Sequence, residues 1–92
     1  MEKINIYNLL TKVGMKFFVD YYSILSDNNY SVEKIIELVK VNHKDYSIKA
    51  IKTRISKSRK IISNGYGLDA LNIIQKAEKI DDEIKEKIKK II

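Results

Sequence analysis

The chain has 92 residues, of which 45% are hydrophobic and 33% are charged, so it can form one domain with a modest core. It contains no cysteine, which excludes disulfides, thiolate nucleophiles and thiolate metal sites and favours a cytoplasmic location. It also lacks proline, carries a formal net charge of +6, and has no apolar run near the roughly 18 residues of a membrane span.

The first predicted helix covers about residues 6–26, where apolar side chains recur at alternating steps of three and four. Asn5 is its expected N-cap. Gly14 lies on the apolar stripe and leaves three alternatives open, which are a close packing point, a kink, or a break between two helices. The polar residues 27–30 that follow predict a turn.

A second helix is predicted over about residues 32–41. Ser31 is its expected N-cap, and Glu33 in the first turn favours the positive end of the helix. The polar residues 42–46 that follow predict a connection to the next helix.

The third predicted helix, about residues 48–63, has Ser47 or Asp45 as its N-cap. At about 100° per residue, four isoleucines and one serine fall within a narrow arc, which predicts a buried face. That predicted stripe consists of Ile48, Ile51, Ile55, Ser58 and Ile62. The opposite face carries Lys49, Thr53, Ser56 and Lys60, with Lys52 and Lys57 beside it.

The net charge is concentrated in residues 46–68, which we call the basic segment. It holds six lysines and arginines and no acidic residue, while the other 12 basic residues are balanced by 12 acidic ones. Such a segment is typical of a surface that binds polyanions, because its cations displace counterions from phosphates. The alternative is a surface that only keeps the protein soluble.

Two more helices are predicted, over about residues 68–79 and 81–92, after a helix end at residues 64–67. Their apolar seam exceeds what a monomer of this length requires, so we expect a homodimer. The expected dimer residues are Leu71, Ile74, Ile84, Ile88 and Ile91.

These elements predict an all-α bundle of four to five helices, with a helix-turn-helix over about residues 31–63, in a single domain of residues 1–92. Residues 30–38, YSVEKIIEL, followed by residues 47–60, SIKAIKTRISKSRK, resemble the helix-turn-helix of bacterial sigma-factor region 4 and of LuxR-type regulators. The resemblance implies that Lys49, Lys52, Thr53 and Ser56 face bases. The connection is longer than in those families and lacks their glycine.

The sequence therefore favours a sequence-specific protein for double-stranded DNA, either a small transcriptional regulator or a plasmid or phage DNA-processing accessory factor. The residues expected near bases are Ser47, Lys49, Lys52 and Thr53, and those expected on the phosphate backbone are His43, Lys44, Ser56, Lys57, Arg59 and Lys60. The alternative is a helical interaction module, of the anti-sigma or antirepressor kind, that binds an acidic protein. RNA binding is a third possibility.

We expect no catalytic residue, metal or cofactor. The single histidine, His43, has no companion ligand at metal spacing, and the sequence lacks a glycine-rich phosphate loop and a nucleophile elbow.

Overall fold

In the computed structural model, residues 5–78 and 80–91 are described, and they form seven α-helices and no strand. The helices are α1 (Ile6–Val13), α2 (Met15–Asp20), α3 (Tyr22–Leu25), α4 (Val32–Asn42), α5 (Ile48–Ser63), α6 (Gly67–Lys76) and α7 (Asp82–Ile91). The predicted all-α class is confirmed. Within the described ranges, no helix combines the length and the apolar character that crossing a membrane would require.

The predicted first helix is three helices, which is why the predicted total of four to five is too low. Gly14 has a φ of +92°, a conformation that favours glycine, and its N–H donates to the carbonyl of Leu10 at 2.8 Å. The helix therefore ends at Val13 and restarts at Met15, so a break is the alternative that the structure adopts. A second interruption at Tyr21 separates α2 from α3.

The three N-caps expected from the sequence are confirmed, and each satisfies a backbone N–H that the first turn would otherwise leave without a partner. The cap bonds join Asn5 to Asn8 at 2.9 Å, Ser31 to Lys34 at 3.2 Å, and Ser47 to Ala50 at 3.1 Å. Since Ser47 makes the cap, the alternative cap at Asp45 is not used. Helix α5 spans the predicted residues 48–63.

Helix α5 lies at the centre of the fold and packs against α1, α3, α4 and α6. Its buried residues are Ile51, Ile55, Ser58 and Ile61. The predicted stripe is therefore wrong at Ile48, which is 53% exposed, and it omits Ile61, which is fully buried. Its last member, Ile62, is half-buried. The buried arc is wider than the stripe because several helices cover α5. Among the described residues, the Ser58 hydroxyl has no hydrogen-bond partner.

The C-terminal helices are part of this core. Helix α6 packs against α1, α5 and α7, and α7 also packs against α2. Leu71, Ile74, Ile84 and Ile88 are buried inside the single chain, so their assignment to a dimer interface is corrected. Only Ile91 of that set stays partly exposed, at 37%. The predicted helix ends at residues 79 and 92 lie outside the described residues.

Candidate nucleic-acid interface

The solvent-facing side of α5 carries three lysines and two hydroxyl side chains. Lys49, Lys52, Thr53, Ser56 and Lys60 are all exposed, and at about 100° per residue they fall within an arc of about 100°. We call these five residues the basic face. Helix α5 contains no acidic residue, and within residues 5–78 and 80–91 the three ammonium groups form no ion pair or hydrogen bond. The face is therefore a cationic surface with hydroxyl groups between the charges.

Arg59 does not belong to this face, because its guanidinium group is occupied inside the fold. It is half-buried and donates to the carbonyl of Leu25 at 3.3 Å, to that of Asp27 at 3.4 Å, and to that of Tyr30. These carbonyls lie at the end of α3 and in the loop that leads to α4. The expected phosphate contact of Arg59 is therefore replaced by a structural role.

Arg54 holds α5 to the N-terminal helices in a similar way. Its guanidinium group donates to the carbonyl of Val13, the last residue of α1. The same group lies 5.6 Å from the ring centre of Phe17 and 5.0 Å from that of Tyr46, which are cation–π contacts. The two arginines thus fix α5 against the segment before it, and the basic face keeps only lysines as cations.

Side-chain contacts bridge the connection between α4 and α5, residues 43–47. Lys40 donates to the carbonyl of Lys44 at 3.2 Å and to that of Tyr46 at 2.6 Å. The His43 ring stacks on Tyr46, with centres 4.5 Å apart and planes 11° from parallel. These contacts hold the connection against α4 directly before α5 begins.

The remaining predicted contact residues are Lys57, in the second half of α5, and His43, Lys44 and Ser47, in the connection before the helix. Lys44 and Ser47 are exposed, whereas His43 and Lys57 are half-buried. The Ser47 oxygen already accepts the cap bond, and Thr53 Oγ1 donates to the carbonyl of Lys49 at 3.0 Å. The structure therefore brings the lysines and hydroxyls of α5 together on one surface, and it leaves His43 in the stack beside that surface.

Sequence reasoning missed Ile48 as a surface residue. It follows the cap residue Ser47 directly, so it lies in the first turn of α5. There it is at the edge of the buried arc and not at its centre. Its position next to the N-cap is the signal that could have separated it from the other isoleucines.

Another surface feature lies away from α5. An open groove of about 580 Å³ is lined mainly by the apolar residues Tyr7, Met15, Ile73, Ala77 and Ile80, with Lys76 and Glu78 also present. No residue of α5 lines it. No group of three or more acidic or histidine side chains in the described ranges is placed to hold a metal ion.

Comparison with known proteins adds no family assignment. No protein-family model, curated protein or solved structure matches the chain significantly.

Proposed function

We propose that the chain binds double-stranded DNA, with the basic face of α5 in the major groove. The observation that carries this proposal is one exposed arc with three ammonium groups and two hydroxyls on a helix without carboxylates. Lysines neutralise phosphates and release counterions, and a hydroxyl such as that of Ser56 donates to phosphates or to base edges.

The supports of α5 favour a role as a recognition helix. An α-helix with its side chains is about 10–12 Å across, which fits a major groove about 12 Å wide. A helix that inserts there has to be held at its buried side, and Arg54 and Arg59 do this through the carbonyls of earlier segments. The pair α4 and α5, joined by a connection that Lys40 bridges, supports the helix-turn-helix interpretation.

The proposed roles follow from position along α5. Lys49, Lys52 and Thr53 belong to the N-terminal half, which approaches base edges in this kind of docking. Ser56 and Lys60 lie further along and meet the phosphate backbone. Lys44, Ser47 and Lys57 supply further contacts beside the face.

A protein with these properties would act by occupying a short DNA site, as a small transcriptional regulator or a plasmid or phage accessory factor does. The proposal requires only one copy of the chain. The apolar seam that suggested a homodimer is inside the core.

Fluorescence anisotropy with a duplex of mixed sequence tests this proposal over a salt series of roughly 50 to 200 mM. The variant Lys57→Gln/Lys60→Gln removes two charges of α5 that are expected at the phosphate backbone. The control Lys76→Gln/Lys90→Gln removes two exposed charges from α6 and α7, so the net charge changes equally.

We expect the affinity of the unaltered chain for DNA to fall steeply as salt rises. In a plot of the logarithm of the binding constant against the logarithm of the salt concentration, the slope should have a magnitude near 0.9 for each phosphate contacted. The α5 variant should lower that slope by about 2, whereas the control should change it little. Equal effects of both variants would mean that net charge alone attracts DNA. Absence of binding at the lowest salt would favour the alternative of an acidic protein partner.

A further inference from the structure

Ile48 is the one large hydrophobic side chain of α5 that is strongly exposed, at 53%. Ile51, Ile55 and Ile61 of the same helix are buried. Ile48 occupies the first helical position after the N-cap residue Ser47. The connection just before it is bridged by Lys40, which donates to the carbonyl of Tyr46. An isoleucine at this place presents a methyl-rich surface at the end of the helix that we propose approaches the bases.

The position of Ile48 on the helix places it beside the basic face. At about 100° per residue, it lies about 40° from Lys52, which is one turn further along. It also directly precedes Lys49 in the chain. A duplex bound by these two lysines would therefore meet the side chain of Ile48 as well.

The basic face lacks the amide side chains that usually read adenine, and its guanine readers are lysines alone. Bidentate contacts to guanine come from Arg or Lys, and those to adenine come from Asn or Gln. Helix α5 contains no Asn or Gln, and both of its arginines donate to backbone carbonyls inside the fold. The remaining base-reading groups are lysines, hydroxyls and apolar side chains.

Among bases in the major groove, thymine presents a methyl group at C5, and apolar side chains recognise it by contact. Thr53 agrees with this chemistry, because its hydroxyl donates to the carbonyl of Lys49 and its methyl group remains for such a contact. We propose that Ile48 is a specificity-determining residue that packs on thymine methyl groups and gives a preference for A·T-rich sites. This proposal rests on the proposed DNA-binding function.

The test compares two duplexes of about 20 base pairs. One alternates deoxyadenosine and thymidine, and the other has deoxyuridine in place of each thymidine. Uracil keeps the hydrogen-bonding groups of thymine and lacks only the methyl group. The unaltered chain should bind the thymidine duplex about four-fold more tightly than the deoxyuridine duplex, which is the gain in affinity expected from burying one methyl-sized group.

Ile48→Ala should lower this ratio toward one, to the part that the Thr53 methyl group supplies. Alanine has a higher helix propensity and Ile48 is exposed, so the variant is expected to fold, and its thermal unfolding checks this. Leu68→Ala is the matched control, since it removes another exposed apolar side chain, in the first turn of α6, and should keep the four-fold ratio.

Two results would overturn the assignment while leaving DNA binding intact. One is equal, salt-dependent binding of both duplexes by the unaltered chain, and the other is a ratio that Ile48→Ala leaves unchanged. Failure to bind either duplex at low salt would overturn the DNA-binding proposal together with this one.

Discussion

The arginines and lysines of α5 have different environments, although the sequence places them in one basic segment. The guanidinium groups of Arg54 and Arg59 donate to carbonyls of α1, α3 and the loop before α4. Lys49, Lys52 and Lys60 extend from the exposed side of the helix. A guanidinium group has five donors in a fixed fork, which suits it to several carbonyls at once, whereas an ammonium group is a compact charge suited to phosphate.

Replacing Arg59 should therefore affect folding more than replacing a neighbouring lysine. Arg59→Met keeps an unbranched side chain and removes the donors to three carbonyls, which should lower the free energy of unfolding by about 1–3 kcal/mol. For a domain of this size, each kcal/mol lowers Tm by about 4–8 °C.

Lys60→Met, the matched control from the basic face, should change the free energy of unfolding by less than about 0.5 kcal/mol. Thermal unfolding followed by circular dichroism measures both variants. A Tm for Arg59→Met equal to that of the unaltered chain would show that its hydrogen bonds do not stabilise the fold.

At the scale of helices, the N-terminal segment joins the rest of the bundle through polar contacts as well as the core. Lys87 of α7 donates to Asp20 at the end of α2 at 2.7 Å, and this bond raises the pKa of Lys87 above 10.5. Partial burial raises the pKa of Tyr22 in α3 above 10.0, because desolvation disfavours the phenolate. Because each pKa is raised by contacts of the folded chain, the stability of the packing of these helices should depend on pH.

The signs of the two shifts agree. A folded-state pKa above the unfolded value means that the related stability is fully present below the unfolded pKa and is lost as pH rises. The protein should therefore lose Tm between about pH 8 and about pH 11. Tyr22→Phe removes the half-buried phenol hydroxyl, so this variant should lose less Tm over that interval than the unaltered chain.

Tyr66→Phe removes an exposed tyrosine hydroxyl and is the control, which should follow the unaltered chain. Thermal melts at both pH values give the comparison. If Tyr22→Phe loses as much Tm as the unaltered chain, Tyr22 does not connect alkaline pH to stability.

Local sequence signals predicted the elements of the fold well. The N-caps Asn5, Ser31 and Ser47 and the limits of α5 are confirmed, because caps and helix stops act over a few residues. The predicted helix end at residues 64–67 is confirmed at residues 64–66, with Gly65 at a φ of +83°, whereas Gly67 begins α6. Gly14 was singled out correctly, but the sequence left a break, a kink and a close packing point open, and the Arg54 contact with the neighbouring Val13 carbonyl comes from 41 residues away.

Long-range packing could not be derived from the sequence. Periodicity identifies an apolar side of α5, but it does not say which helices cover that side, so Ile48 was placed in the core. The same limit produced the predicted dimer seam, since α2 and α6 of the same chain pack against α7. The carbonyl partners of Arg54 and Arg59 lie 41 and up to 34 residues away, beyond any local signal.

Across the whole molecule, the cationic surface and the apolar groove occupy different elements. The basic face belongs to α5, and the groove is lined by α1, α2, α6 and the residues after α6. DNA and an apolar partner would therefore contact different sets of amides. Because the two surfaces are separate, the amides that change on binding identify the surface in use, and no substituted variant is needed.

The most direct measurement is a backbone amide chemical-shift map of the isotope-labelled chain on addition of a duplex of about 20 base pairs at low salt. The DNA-binding account predicts that the largest changes fall in residues 44–60, centred on Lys49 and Lys52, and that they diminish as salt is added. It would be contradicted if the changes clustered at the groove residues Tyr7, Met15 and Ile73, or if the duplex changed no amide at all.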